Sequence, residues 1–169
     1  MIKSIPPSAT IPDAIGTLPQ TKNPMRSINE NAPVKCSKTI TIHADRKRVW
    51  AVLTTIDAWA TWQTDIKKPK RHGELKAGTT FDWSTGGVKI HSTLHTIEPY
   101  QKFGWTGKTF GMMAIHNWEL TEANGKTTIE VHESMEGLLA RLFKKSFNKD
   151  LERGMILWLA LLKKECEKL

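Results

Sequence analysis

A chain of 169 residues, 39% of them hydrophobic, has the size and apolar content of one ordinary domain that needs no covalent staples. Its two cysteines, Cys36 and Cys166, belong to no CxxC or CxxH spacing; this excludes a zinc knuckle or a thioredoxin-like redox site and leaves both as small core thiols. A net charge of +8 raises nucleic acid and acidic membrane as partners, so where that charge lies along the chain decides between them and a merely basic surface.

Residues 1–33 carry Pro6, Pro7, Pro12, Pro19, Pro24 and Pro33 with only scattered aliphatic residues, too little apolar surface to offset the entropy of ordering. They read as a flexible or surface-draped arm. With Lys3, Lys22 and Arg26 against Asp13 and Glu30 the arm is nearly neutral, so the positive excess belongs to residues 34–169. Met1–Ala14 holds no apolar run of signal-peptide length, and no later stretch reaches the roughly 18–20 apolar residues of a spanning helix; the expectation is a soluble, cytoplasmic protein.

From Val34 the pattern alternates, with Val34, Cys36, Ile40 and Ile42 on one face of a half-buried strand. Asp45 then offers an N-cap to a helix with the apolar stripe Val49, Trp50, Val52 and Leu53. A second short helix starts near Asp57 and places Trp59 and Trp62 on one face as a hydrophobic plug against the sheet. From about Ile66 to Met135 the chain reads as an antiparallel meander: Thr79–Thr85, a Gly86-Gly87 turn, Val88–Glu98 ending at Pro99, Lys102–Lys108, Met113–Thr121, an Asn124-Gly125 turn and Thr127–Met135. After Gly137, Leu151, Met155, Trp158, Leu162 and Cys166 recur at threes and fours in one long amphipathic helix, with Gly154 inside it marking a kink or a close approach to the sheet.

Strand, two short helices, meander and terminal helix, in that order, resemble the START-like superfamily of the birch-pollen allergen and of the polyketide cyclase/dehydrase and lipid-transport (SRPBCC) proteins. The carriers are the run from Ile42 to Leu53, Ile56-Asp57-Ala58-Trp59 with Trp62, Gly78-Thr79-Thr80-Phe81, His116-Asn117-Trp118-Glu119-Leu120, and Thr127-Thr128-Ile129-Glu130-Val131 before Glu133 and Gly137. The resemblance covers residues 34–169. It implies an α+β helix-grip fold: a curved six- to seven-stranded antiparallel sheet around the C-terminal helix, with two short helices after the first strand. It also implies an apolar ligand such as a lipid, a sterol-like molecule or an aromatic polyketide between sheet and helix, and for some members cyclisation or dehydration. No catalytic motif is shared across the family, so no activity carries over residue by residue.

The two hairpins set registers, because facing residues of an antiparallel pair project to the same side. Two-residue turns at Gly86-Gly87 and Asn124-Gly125 pair Trp83 with Ile90, Phe81 with Ser92, Leu120 with Ile129, Trp118 with Val131 and His116 with Glu133. The inward face then offers Phe81, Trp83, Ile90, Ser92, Leu94, Phe103, Trp105, His116, Trp118, Val131 and Glu133, with Met155 and Trp158 from the helix, as ligand-binding residues. Plain core packing is the other use of the same residues. His116 and Glu133 are the candidate catalytic pair, since a carboxylate fixes an imidazole's tautomer and so suits it to general acid/base work; orienting a ligand or a purely structural pairing are the alternatives. A slip of one residue would send one partner outward. His91 and His95 alternate outward without a third ligand, so no metal site is expected and no cofactor is implied.

Two basic clusters remain, Lys67, Lys68, Lys70, Arg71 and Lys76 in the first and Arg141, Lys144, Lys145, Lys149, Arg153, Lys163, Lys164 and Lys168 in the second. Asp150, Glu152, Glu165 and Glu167 dilute the latter into a solvated face. Arg46-Lys47-Arg48 opposes a helix macrodipole and, with Lys67–Arg71, would suit weak contact with an anionic membrane. Basic residues are not interleaved with exposed aromatics, which argues against nucleic acid. Three classes stand: a carrier of a hydrophobic small molecule, a cyclase- or dehydratase-like enzyme, and an electrostatic binder, in a monomer or homodimer.

Overall fold

The alternation that starts at Val34 becomes strand β1 (Val34–Ile42), and Asp45 caps helix α1 (Arg46–Thr54) by accepting a hydrogen bond from the Arg48 amide, 2.8 Å away. The computed structural model describes residues 25–168. A 3-10 turn (Ile56–Ala58) leads into the four-residue helix α2 (Trp59–Trp62), and the Trp59 indole N–H donates to the Leu53 carbonyl at 2.9 Å, which fixes the ring beneath the end of α1. The meander comprises β2 (Ile66–His72), β3 (Thr80–Thr85), β4 (Val88–Glu98), β5 (Lys102–Thr109), β6 (Met112–Ala123) and β7 (Lys126–Glu136). Together the strands form one seven-stranded antiparallel sheet in the order β1-β7-β6-β5-β4-β3-β2. This is the helix-grip α+β fold expected of the resemblance.

Gly86-Gly87 and Asn124-Gly125 occupy the two tight turns, with Asn124 at φ 53° in the left-handed conformation such turns require. Their registers are those the spacing implies: Trp83 opposite Ile90, Phe81 opposite Ser92, Trp118 opposite Val131 and His116 opposite Glu133. Strand β2 lies at a sheet edge and carries lysines, Pro69 and a bulge between Lys67 and Lys70, features that blunt an exposed edge.

The C-terminal stretch differs from the single helix that the periodicity predicts. It is broken into α3 (Leu138–Leu142) and α4 (Lys144–Cys166), joined at Phe143. Helix α4 packs on β1, α1 and α2, and buries Met155, Trp158, Leu159, Leu162 and Cys166. Gly154 marks no close approach to the sheet: α4 runs through it unbroken, and a Cβ there would meet nothing within 4 Å.

Residues 1–24 of the proline-rich arm lie outside the described residues. Residues 25–33 run across the face of the sheet opposite α4. Asn117, which points away from the core, donates its amide to the Arg26 carbonyl at 2.8 Å, and the Asn29 amide donates to the Ser134 hydroxyl at 3.0 Å.

Candidate functional site

The site is built where β5, β6 and β7 present their inward residues to α4. His116 stands between Ala114 and Trp118 in the inward row of β6, and its Nδ1 lies 2.6 Å from the Glu133 carboxylate directly across the strand pair. A carboxylate only accepts, so Nδ1 carries the proton of this bond and, in the neutral ring, Nε2 is left as an acceptor. The imidazole is pinned in its plane by the Trp105 indole, stacked at 4.3 Å with 7° between the rings, and by Trp118 at 5.2 Å. Register places Trp105 there, since it faces His116 across β5 and β6.

Three buried nitrogens here have no hydrogen-bond partner: Nε2 of His116 and the indole Nε1 of Trp118 and Trp158. The three rings are mutual neighbours, with centroids 5.2, 5.9 and 5.9 Å apart. An unsatisfied buried donor or acceptor costs about 1–3 kcal/mol, so each of these nitrogens would gain from a polar partner.

The other inward residues come together as a ring-on-ring cluster around Trp59. Its ring lies 5.6 Å from Phe81, 6.2 Å from Trp83, 5.6 Å from Trp105 and 5.3 Å from Trp158. Phe103 packs on Trp105 and Trp50, and Leu94, Val131 and Met155 complete the same core. The Ser92 hydroxyl is engaged, because it accepts from the Trp83 indole at 3.0 Å. Trp59 is the plug against the sheet that helical spacing predicts, and it stands at the centre of the aromatic cluster, where its bond to the Leu53 carbonyl, which no residue spacing announces, holds it. Gly107 and Ala114 also escape a reading of the sequence. They face each other on the inner side of β5 and β6, and a Cβ on Gly107 would stand 3.2 Å from Cγ2 of Ile90, a close approach where Ile90 leans across.

The inward face is graded along its length. Toward α1 its residues are fully buried, whereas Trp83, Ile90, Met112 and Glu133, toward α3, are partly exposed. That end is where the interior comes nearest to solvent. Two open depressions lie elsewhere: one of about 740 Å³ touches Asn29, Asn31, Glu136, Arg141 and Lys144, and one of about 750 Å³ touches Met25, Ile28, Glu98, Lys102 and His132.

Burial raises the Cys36 thiol and pushes Cys166 up to about 12, so neither is an activated nucleophile. His72, for which the sequence suggests no partner, shares Asp82 with His91. Each ring nitrogen stands 2.7 Å from the carboxylate, and these bonds, His91 first, hold Asp82 below the usual range. His95 does not lie free on the surface; it is half-buried over Gly104. In the proposed membrane patch, Arg46 is 3.9 Å from Glu122 and Lys70 is 3.7 Å from Asp57, so acids already accompany two of its cations. No helix among the described residues is long and apolar enough to cross a membrane.

Residues 33–167 match the family described as polyketide cyclase / dehydrase and lipid transport. No curated protein matches the chain. Among solved structures, a hypothetical protein of Helicobacter pylori superposes with a TM-score of 0.75 at 18% identity, over 85% of this chain and 98% of its own. An aromatase/cyclase, Zhui, of Streptomyces sp. R1128 gives 0.69 at 14% identity, over 79% and 93%. The di-domain aromatase/cyclase StfQ of the steffimycin biosynthetic pathway gives 0.69 at 12%, over 79% of this chain and 50% of its own. At such identities these likenesses concern the fold.

Proposed function

Because the chain belongs to the polyketide cyclase/dehydrase and lipid transport family, we propose that it binds a hydrophobic small molecule carrying a hydroxyl group, held between the sheet and α4 with the hydroxyl at His116. The observation that carries this reading is the buried trio of unpartnered nitrogens. A hydroxyl donates one hydrogen bond and accepts others, so it answers an Nε2 acceptor and indole donors at once. The apolar body of the ligand lies along Trp83, Trp105, Trp118, Ile90 and Trp158, entering from the α3 end. Trp59 fills the centre of the cluster, so the ligand displaces it or settles beside it. Pockets of this kind combine an apolar lining with few polar groups.

The test compares naphthalene with 2-naphthol by calorimetry. Wild type is expected to prefer the naphthol, and His116→Ala to lose about 0.5–1.5 kcal/mol of naphthol affinity, roughly three- to tenfold, with naphthalene unchanged. Equal affinity for the two probes in wild type, or a preference that survives His116→Ala, overturns the reading. Native mass spectrometry of protein from its own host identifies the physiological ligand.

One observation favours a second reading, acid/base catalysis of a cyclisation or dehydration. Glu133 occupies Nδ1 and leaves Nε2 free toward the interior, the arrangement of an oriented general base. Catalysis predicts that His116→Ala and Glu133→Gln both abolish turnover of a bound β-keto substrate while affinity is kept. Carriage predicts no turnover in any variant.

A further inference from the structure

We infer that the end of the molecule carrying α3 docks onto the surface of an anionic phospholipid bilayer. Leu138, Leu142 and Phe143 are 71%, 67% and 54% exposed, and Phe110, in the turn between β5 and β6, is 73% exposed. These side chains belong to one surface: the Phe110-Gly111 turn abuts the start of α3, where a Cβ on Gly137 would stand 2.6 Å from the Gly111 carbonyl oxygen. Phe147 extends the patch by packing its ring 6.0 Å from Phe143. Single exposed apolar residues are ordinary on any protein, but four large ones gathered at one end mark a contact surface.

Charge selects the partner. From Gly137 to Lys149 there is no acidic residue, and Arg141, Lys144, Lys145 and Lys149 are all exposed. None of the four takes part in an ion pair among the described residues, whereas further along α4 Arg153 pairs with Asp150 at 2.8 Å and Lys163 with Glu167 at 2.9 Å. The nearest acids are already occupied: Glu136 accepts from Asn29, and Asp150 from Arg153 and Ser146. A bilayer interface supplies hydrocarbon for Leu and Phe and phosphate for Lys and Arg side by side. A nucleic acid would use the cations and leave the aliphatic side chains in water. The surface is distinct from the Arg46–Arg48 and Lys67–Arg71 clusters, and it lies at the end where Trp83 and Ile90 come closest to solvent. Docking here stands on its own observations and does not depend on a ligand at His116.

The experiment is flotation of the full chain with vesicles of phosphatidylcholine alone or mixed with phosphatidylglycerol. Binding is expected to the mixed vesicles only, and to weaken with salt. Replacing Arg141, Lys144 and Lys145 together by alanine is expected to weaken it on the order of a hundredfold, near fivefold for each cation. Replacing Leu142 and Phe143 by serine is expected to abolish it, while Lys67→Ala with Lys68→Ala leaves it unchanged. All these residues are exposed, and matching thermal melts establish that the variants fold. An environment-sensitive dye on a Phe143→Cys variant is expected to shift to the blue with mixed vesicles. No flotation of wild type, equal flotation with phosphatidylcholine alone, or serine variants that bind as wild type overturns the inference. The last of these is the pattern of a purely electrostatic, nucleic-acid-like binder.

Discussion

His95 is a part-buried imidazole whose charged form the fold opposes. It sits at the irregularity in β4 between Leu94 and Thr96, with Nδ1 2.8 Å from the Thr96 hydroxyl and Nε2 buried without a partner. Gly104 makes room for it, since a Cβ there would stand 2.6 Å from the imidazole and 2.7 Å from Asn117. Burial first, and the Arg26 guanidinium second, lower its pKa to about 4. In the unfolded chain the group titrates near 6.5, so between these values the unfolded state binds the extra proton. Stability contributed at this position is therefore complete above about pH 6.5 and lost as pH falls toward 4. Thermal melts at pH 7 and pH 4.5 should show a larger fall in Tm for wild type than for His95→Leu, which has nothing to protonate; equal falls would place the acid sensitivity elsewhere. None of this was legible in the sequence, because strict alternation sets His95 on an open surface. Burying it takes an irregularity in β4 and a glycine on β5, and the Arg26 charge that adds to the shift comes from some seventy residues away in the chain.

Among the elements, those bounded by two-residue turns were the most legible. Gly86-Gly87 and Asn124-Gly125 leave a hairpin one register, and the register alone brings His116 to Glu133. The terminal helix was less so, for its 3.6-residue stripe from Leu151 to Cys166 carries no information on where the helix begins. The break at Phe143 goes with α3 turning Leu138 and Leu142 outward while it buries Ala140. Gly154 shows the same limit in reverse. Its composition signals a kink or close packing, yet its α-carbon faces open space in an unbroken helix. With no contact to disturb, Gly154→Ala should stabilise the protein by the propensity difference of up to about 1 kcal/mol. That corresponds to a Tm rise of roughly 3 °C in a domain of this size. A fall in Tm would show that the glycine accommodates a bend that alanine resists.

In the molecule as a whole, the aromatic cluster both holds sheet, short helix and terminal helix together and occupies the space in which a ligand would lie. Trp59 is common to both roles: α2 presents it, the Leu53 carbonyl fixes it, and rings from β3, β5 and α4 surround it. Removing so large a buried ring costs about 3–5 kcal/mol, a sizeable share of a domain's total stability. If the interior is only a core, that loss stands whatever small molecule is added. If it is a binding site whose central position Trp59 occupies, Trp59→Ala enlarges the site, and a ligand that binds only the folded state restores stability by RT ln(1 + [L]/Kd). Thermal melts of Trp59→Ala with increasing 2-naphthol should then recover about 2.7 kcal/mol at a hundred times the dissociation constant, while wild type gains less because Trp59 must first be displaced. The same titration on the double variant Trp59→Ala, His116→Ala separates a cavity that accepts any apolar filler from one oriented by its polar point. Recovery lost with His116 places the hydroxyl where the unpartnered nitrogens are. Recovery retained reduces the interior to a hydrophobic space.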